Sequence, residues 1–168
     1  GFLTGLNAAF IIDDETKNRL IIDSKALEII KPILRGRDLK KYSFEFANQW
    51  TICTFTSFKI NIEDYPSILD FFMEVGKTRM EQTGKEGSRK KTNNQWFETQ
   101  DTISYWKEFE KPKIVWGEIS DKPKFAYDDE NYYAEATSFI MTGEKLKYLL
   151  AILHSKASEW SFNQLGTT

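Results

Sequence analysis

Hydrophobic positions recur at helical spacing in two segments of this chain. Apolar residues that follow Pro66 predict a helix running to about Arg79. A longer apolar stripe follows Thr142, which can cap a helix, and it predicts one long helix from about Glu144 to Phe162. The stripe consists of Leu146, Leu149, Leu150, Leu153, Ala157 and Trp160. The clearest helical pattern therefore lies near the C-terminal end.

Short runs of β-branched and aromatic residues predict strands elsewhere. These runs cover residues 8–12, 50–55, 113–116, 125–127 and 137–141. Polar turns are predicted at 13–15 and 128–131, and a short helix capped by Asp23 or Ser24 is predicted to end at Pro32. Strands and helices mix without regular βαβ alternation. We therefore predict an α+β fold with small mixed sheets, mostly antiparallel, packed helices and a long C-terminal helix.

Composition limits the class of protein. The 168 residues predict a single domain over 1–168, and a net charge of −2 does not by itself indicate a nucleic-acid-binding protein. One cysteine and one histidine exclude an internal disulfide, an all-cysteine zinc site and a multi-histidine metal centre. The sequence contains no membrane-spanning run and no signal peptide, and its cysteine usage suits the cytoplasm. Because the chain begins with Gly1, we expect a fragment of a larger protein.

Enzyme motifs are missing from the sequence. It contains no dinucleotide-binding glycine motif, no P-loop and no nucleophile elbow. We expect Cys53 to be a buried strand residue and His154 a partly buried helix residue. The carboxylates Glu108, Glu110 and Glu118 leave a metal-dependent nuclease open as an alternative, although their spacing lacks the usual arrangement of two acids and a lysine.

One polar segment stands out by its local charge. Residues 77–95 hold six basic residues against two acidic ones, a local net charge of +4. If this segment contacts DNA or RNA, phosphate contacts are expected from Lys77, Arg79, Lys85, Lys90 and Lys91, and contacts to base edges from Arg89, Asn93, Asn94 and Gln95. The alternative is a solvated loop whose charge maintains solubility. We take residues 83–95 as the longest loop of the chain.

A second basic turn and a pair of tyrosines are further candidates for nucleic-acid contact. Arg35, Arg37, Lys40 and Lys41 can hold a second backbone segment, although Arg37 and Asp38 can equally well pin the turn. Most aromatic residues must lie in the core. Tyr132 and Tyr133, beside an acidic turn, are the aromatic residues that we most expect to be exposed.

Several segments, taken together in their order and spacing, resemble the TaqI-like C-terminal specificity domain. Arg35-Gly36-Arg37-Asp38 lies in the most specific of them, and the resemblance covers about residues 2–160. The segments are 4–13, 29–42, 65–68, 96–98, 109–116 and 146–156. This family is the target-recognition domain of adenine-specific DNA methyltransferases and of fused type II restriction–modification enzymes.

The resemblance implies a division of labour in a larger enzyme. A separate N-terminal methyltransferase domain would carry S-adenosylmethionine and the flipped adenine, with magnesium needed where an endonuclease is fused to it. The present chain has no Asn-Pro-Pro tripeptide, so it should neither methylate nor cut DNA by itself and should hold no cofactor. Its expected partners are double-stranded DNA and the methyltransferase domain, against which the last helix can pack. A protein-interaction domain is the remaining alternative to DNA recognition and to the nuclease.

Overall fold

The computed structural model describes residues 1–118 and 122–165. The chain forms two compact units. The N-terminal unit comprises Phe2–Pro32 and Asn48–Ser104, and the C-terminal unit comprises Gly1, Ile33–Ala47 and the described part of Tyr105–Thr168. Each unit contains its own sheet pairings and is described separately below.

The N-terminal unit combines short helices with antiparallel strand pairs. Its elements are α1 (Asn7–Phe10), β1 (Ile11–Asp13), α2 (Asp14–Leu20), β2 (Ile30–Leu34, which continues into the C-terminal unit), β3 (Gln49–Ile52), α3 (Pro66–Val75) and α4 (Lys77–Met80). The central strand β3 pairs antiparallel with β1 and with β2; Thr51 lies opposite both Ile11 and Lys31. Short 3-10 helices lie in the connections, at Ser24–Glu28, Thr56–Phe58 and Ile62–Asp64.

The core of this unit confirms a helix after Pro66, but the predicted end at about Arg79 is wrong, because α3 ends at Val75. Ile68 and Phe72, one turn apart on α3, are fully buried, and the Phe72 ring lies 5.3 Å from that of Phe10. Gly76, at a φ of 109°, separates α3 from α4. The apolar spacing thus correctly indicated which face of the helix packs inward, since that face is set by the period of the helix.

The predicted local structure of the first segment is wrong in three places. The run at 8–12 opens with the helical turn α1 before the chain becomes extended. The expected turn at 13–15 is the start of α2, because the Asp13 carboxylate accepts a hydrogen bond of 2.8 Å from the Thr16 amide and caps that helix. Pro32 does not end a helix but lies in β2, where extended backbone suits proline and the residue before it.

The C-terminal unit is built on a three-stranded antiparallel sheet. Its elements are β4 (Lys113–Gly117), β5 (Phe125–Asp128), β6 (Tyr133–Ala134), β7 (Ser138–Thr142), α5 (Leu146–Leu153) and α6 (Lys156–Leu165). β4 lies between β5 and β7, and β6 runs parallel to the end of β2, where Ile33 pairs with Tyr133. Leu146 and Leu150 of α5 pack on Ile114 of β4. The strands predicted at 113–116, 125–127 and 137–141 are confirmed.

The single long C-terminal helix is wrong, because the chain breaks it at His154 and Ser155. The Ser155 hydroxyl accepts a hydrogen bond of 3.2 Å from the Ser158 amide and begins α6 as a new helix. His154 is 7% exposed, and its Nε2 lies 2.7 Å from the Phe125 carbonyl oxygen. At the point where one continuous helix was predicted, the His154 ring is thus held against β5 and the helix ends.

The α+β class is confirmed. The described residues contain two small sheets, one mixed and one antiparallel, and six α-helices of four to ten residues. The mixed sheet arises because β2 pairs antiparallel with β3 and parallel with β6. The described part of the chain includes no helix with the length and apolar character needed to cross a membrane.

Candidate nucleic-acid interface

The basic segment forms a loop that is anchored from inside by Arg89. Residues 81–105 adopt neither helix nor strand, which confirms the loop predicted at 83–95. Arg89 is only 4% exposed. Its Nε donates to the Met80 carbonyl at 2.7 Å, its Nη1 to the Thr4 carbonyl at 2.9 Å and its Nη2 to the Trp96 carbonyl at 2.6 Å. The guanidinium therefore joins both ends of the loop to the start of the chain.

These contacts speak against the base-edge role expected for Arg89. All three guanidinium nitrogens already donate to backbone carbonyls, and the group lies 5.1 Å from the Phe10 ring centre. Burial lowers the pKa of Arg89 to about 10, so the side chain remains a cation at neutral pH. An arginine that reads guanine needs two free parallel donors, and Arg89 uses its donors inside the protein.

Two amide side chains complete the interior of the loop. Gln82 is buried, and its Nε2 donates to the carbonyls of Gln95 and Glu98 at 3.0 and 3.1 Å. Asn94 donates from Nδ2 to the carbonyls of Thr99 and Gln100, both at 3.0 Å. Because both amide hydrogens of Asn94 are used in this way, its side chain also acts as a support for the loop rather than as an open base-reading group.

The other predicted residues of the segment lie exposed. We define the loop surface as Lys77, Arg79, Lys85, Lys90, Lys91, Asn93 and Gln95, all of which are exposed. Lys77 lies over the Trp96 ring, with Nζ 5.4 Å from the ring centre. The loop surface thus combines five cations with two amide side chains on a backbone that Arg89, Gln82 and Asn94 hold in place.

The second basic turn, in the C-terminal unit, is pinned by Arg35 rather than by Arg37. The Asp38 carboxylate, 6% exposed, accepts hydrogen bonds from the backbone amide, Nε and Nη2 of Arg35 at 2.9 to 3.0 Å. The hydrogen bonds to Asp38 raise the pKa of Arg35. Arg37, Lys40 and Lys41 are exposed. Of the four predicted cations, three are thus presented to solvent and one holds the turn.

The expectation that Tyr133 is exposed is wrong. Its ring is fully buried and stacks on Phe109, with ring centres 4.9 Å apart, and its hydroxyl lies 3.2 Å from the Glu110 carboxylate. Tyr132 is half-buried and packs edge-on against Phe44 at 4.9 Å. Residues next to an acidic turn are pulled inward here because β6 pairs with β2.

Comparison with known proteins assigns the chain to a family. Residues 31–168, which are 138 of the 168 residues, match the TaqI-like C-terminal specificity domain. The chain belongs to this family. Membership implies DNA target recognition in a restriction–modification enzyme, and the specificity domain is not itself the catalytic part. No curated protein matches the sequence. The resembling segment at 4–13 precedes the matched residues.

Glu108, one of the carboxylates considered for a nuclease, serves as a structural tie in this specificity domain. Glu108 accepts a hydrogen bond of 2.5 Å from Lys111 and one of 2.6 Å from the Thr142 hydroxyl. The hydrogen bond from Lys111, followed by that from Thr142, holds the pKa of Glu108 below its ordinary value. Within residues 1–118 and 122–165, no three His, Cys, Asp or Glu side chains are grouped so that they could hold a metal ion.

Sequence reasoning missed several cations of the specificity domain. Lys113 is fully buried against Asp128, with Nζ 2.6 Å from Oδ2 across the β4–β5 pair. Lys122 and Lys124 lie around His154 together with Lys40 and Lys41. The only sequence signal for the latter pair is two lysines around Pro123, and they lie more than 80 residues from Lys41 along the chain. A count of charged residues over short stretches of the sequence could not detect this grouping.

Proposed function

We propose that this chain recognises a short sequence of double-stranded DNA for a restriction–modification enzyme. The catalytic part would be an adenine-specific DNA methyltransferase domain of the same protein, with or without a fused endonuclease, acting in the cytoplasm. The observation that carries the proposal is the family match over residues 31–168. The methyltransferase domain would bind S-adenosylmethionine, so the present chain needs no cofactor of its own.

The division of roles follows from the chemistry of adenine methylation. The exocyclic amine of adenine cannot be reached inside a stacked duplex, so the base must leave the helix and enter a catalytic cavity. A second domain that grips the duplex can select the site and hold it while the base is out. Phosphate contacts would set the position of the duplex, and contacts to base edges would select the sequence.

The loop surface is where we place part of this contact. Its lysines and Arg79 are exposed and can neutralise phosphates, whereas Asn93 and Gln95 carry amide groups that can pair with the edge of adenine. Arg89 and Asn94, included among the base-reading residues on sequence grounds, would instead act indirectly by keeping the loop in shape. Arg37, Lys40 and Lys41 remain candidates for a second backbone contact.

Selection from a pool of random duplexes tests the proposal directly. The chain would be mixed with the pool at low and at moderate salt, and the retained DNA would be sequenced. Enrichment of a short motif is the expected result. Failure to retain any duplex at low salt would overturn DNA recognition by this chain and favour the protein-interaction alternative.

Charge removal on the loop surface separates phosphate contact from base reading. In a variant with Lys85, Lys90 and Lys91 changed to glutamine, we expect weaker binding to all sequences. The slope of log affinity against log salt should fall by about 0.9 for each phosphate that the variant no longer neutralises. In the variant Asn93→Ala with Gln95→Ala, the selected motif should change while the slope stays the same. A matched control changes the exposed lysines Lys59, Lys107 and Lys147 to glutamine; equal slopes in this control and the loop variant would remove the loop surface from the proposal.

A further inference from the structure

The loop surface presents two amide side chains to solvent. Asn93 and Gln95 are both exposed, and neither side chain makes a hydrogen bond to the described part of the chain. An amide group offers a donor and an acceptor side by side, which is the pattern needed to pair with a base edge. The two residues differ in how the protein holds their backbone, and this difference separates their roles.

The backbone of Gln95 is held from inside the protein. Its amide donates to Oε2 of Glu98 at 2.7 Å. Its carbonyl accepts hydrogen bonds from the Glu98 amide and from Nε2 of Gln82, both at 3.0 Å. Glu98 and Gln82 are buried, with 7% and 6% of their surface exposed. Both polar groups of the Gln95 backbone are thus fixed by residues that water hardly reaches.

The residues on either side of Gln95 face inward. Asn94 donates from Nδ2 to two backbone carbonyls of the loop at 3.0 Å. The Trp96 carbonyl accepts from Nη2 of Arg89 at 2.6 Å, and the Trp96 ring packs edge-on against Phe72, with ring centres 6.4 Å apart. Gln95 therefore lies between two anchored residues and is the one of the three whose side chain is exposed.

Asn93 does not have this support. Within residues 1–118 and 122–165, its backbone amide and carbonyl make no hydrogen bond. A group that is already held in place loses less conformational freedom when it binds, so more of its interaction energy remains as affinity. This difference favours Gln95 over Asn93 as the residue that reads a base.

We propose that Gln95 reads the edge of one adenine in the major groove and that Glu98 and Gln82 are its positioning residues; this inference rests on the proposed function. Adenine presents a donor at N6 and an acceptor at N7, which match the oxygen and the NH₂ of the amide. Guanine presents two acceptors there and leaves the amide oxygen without a donor. The Lys77 ammonium lies 5.4 Å from the centre of the adjacent Trp96 ring, where it can contact a phosphate beside the base.

Selection from a pool of random duplexes compares the wild type, Gln95→Ala and the matched control Asn93→Ala. Both substitutions shorten an exposed amide side chain of the same loop, and thermal unfolding would establish that both variants fold. We expect the wild type and the control to select one motif that contains an adenine, and Gln95→Ala to accept any base pair at that position alone. On duplexes that differ only there, a preference of roughly 5- to 150-fold should disappear in Gln95→Ala.

The positioning role is tested with Glu98→Ala and its conservative counterpart Glu98→Gln. Alanine removes the acceptor for the Gln95 amide, whereas glutamine retains an oxygen that can accept the same bond. We expect Glu98→Ala to lose the preference for adenine and Glu98→Gln to keep it, with the other positions of the motif unchanged. A merely structural role would weaken binding to all duplexes alike. Gln82→Leu, which removes a donor to the Gln95 carbonyl, is the second variant if Glu98→Ala does not fold.

The outcomes separate this inference from the proposed function. If Gln95→Ala selects the same motif as the wild type, or loses a position that is not adenine, adenine reading by Gln95 is overturned and DNA recognition stands. Full adenine preference in a folded Glu98→Ala would overturn the positioning role of Glu98. Retention of duplexes by the wild type without any enriched motif would also overturn base reading by Gln95. If the wild type retains no duplex at low salt, the proposed function fails and this inference fails with it.

Discussion

Arg89 and Lys113 are cations that the fold keeps inside. The Arg89 guanidinium donates hydrogen bonds to three backbone carbonyls. The Lys113 ammonium forms an ion pair with Asp128 and donates to the Phe109 carbonyl at 2.5 Å. Desolvation by burial, the largest cause, lowers the pKa of Lys113. Each buried charge is tolerated because hydrogen bonds surround it, and removing either cation would leave acceptors without donors.

Arg89→Met should destabilise the protein by about 3 kcal/mol. Methionine fills much of the same volume, but it leaves the carbonyls of Thr4, Met80 and Trp96 without the donors that Arg89 supplies. Urea unfolding measures the free energy, with the neighbouring exposed Lys90→Met as the control. A decrease below about 0.5 kcal/mol in Arg89→Met would show that the guanidinium does not anchor the loop.

Glu108 should make stability depend on pH on the acid side. Its pKa is lowered in the folded protein, so it stabilises the fold above its unfolded pKa and loses that contribution as pH falls through the folded value. We therefore expect Glu108→Gln to show a smaller fall in the free energy of unfolding than wild type between pH 7 and about pH 3. Parallel curves for the two proteins would contradict this origin of the acid sensitivity.

At the scale of elements, hydrogen bonds from side chains to backbone decide where helices and loops begin and end. The loop at 81–105 adopts neither helix nor strand. Hydrogen bonds from the buried side chains of Arg89 and Gln82 to backbone carbonyls hold it in place. The junction of α5 and α6 is set by Ser155, which caps the second helix, and by His154, which is held to β5. The periodic pattern of apolar residues indicates the buried faces of such elements. It does not reveal a single capping residue that lies within an apolar stripe.

Ser155→Ala should lower the free energy of unfolding by about 1 kcal/mol. The change removes the acceptor for the Ser158 amide at the start of α6 and leaves that donor without its cap. Ser155→Asp should retain stability, because a carboxylate can accept the same bond. As a control for helix propensity, Ser161→Ala lies at an exposed position of the same helix and should be neutral or slightly stabilising. Equal stability of Ser155→Ala and wild type would contradict the cap.

At the scale of the whole molecule, the family match and the charge distribution bear on function together. The chain carries a net charge of −2, yet it presents the cationic loop surface in the N-terminal unit and the exposed cations Arg37, Lys40 and Lys41 in the C-terminal unit. Local clusters of this kind suffice for DNA contact even where the total charge is unfavourable, because screening in salt limits the reach of distant charges to about 10 Å. Catalysis would come from another domain.

With magnesium and supercoiled plasmid, the chain alone should leave the DNA intact. Glu108, which the nuclease alternative needs as a metal ligand, is occupied by Lys111 and Thr142. Gel mobility of the plasmid over several hours measures nicking. Magnesium-dependent nicking that Glu108→Gln abolishes would favour the nuclease; nicking that survives this change would indicate a contaminant.

The sequence predictions succeeded for features that neighbouring residues determine and failed for features that depend on residues far apart along the chain. The helix after Pro66 and the strand that begins at Lys113 were predictable because their apolar periods are local. The burial of Tyr133 was not, since it depends on a parallel pairing with Ile33, 100 residues earlier. For the candidate site, the sequence located the cationic loop. It did not show which residues of the loop are buried and which are exposed, because both groups contain the same types of side chain.

By itself, the sequence determined the α+β class, the family, most strands and the position of the basic loop. The family follows from the resemblance of several segments in their order and spacing, and the other features depend on period, turn residues and local composition, which neighbouring residues carry. Only the tertiary structure decided that Arg89 faces inward, because its partner Thr4 lies 85 residues away. It also decided that the Tyr42 amide and the His154 ring meet at the Phe125 carbonyl. Burial and convergence are properties of contacts between distant segments, and no local pattern along the chain encodes them.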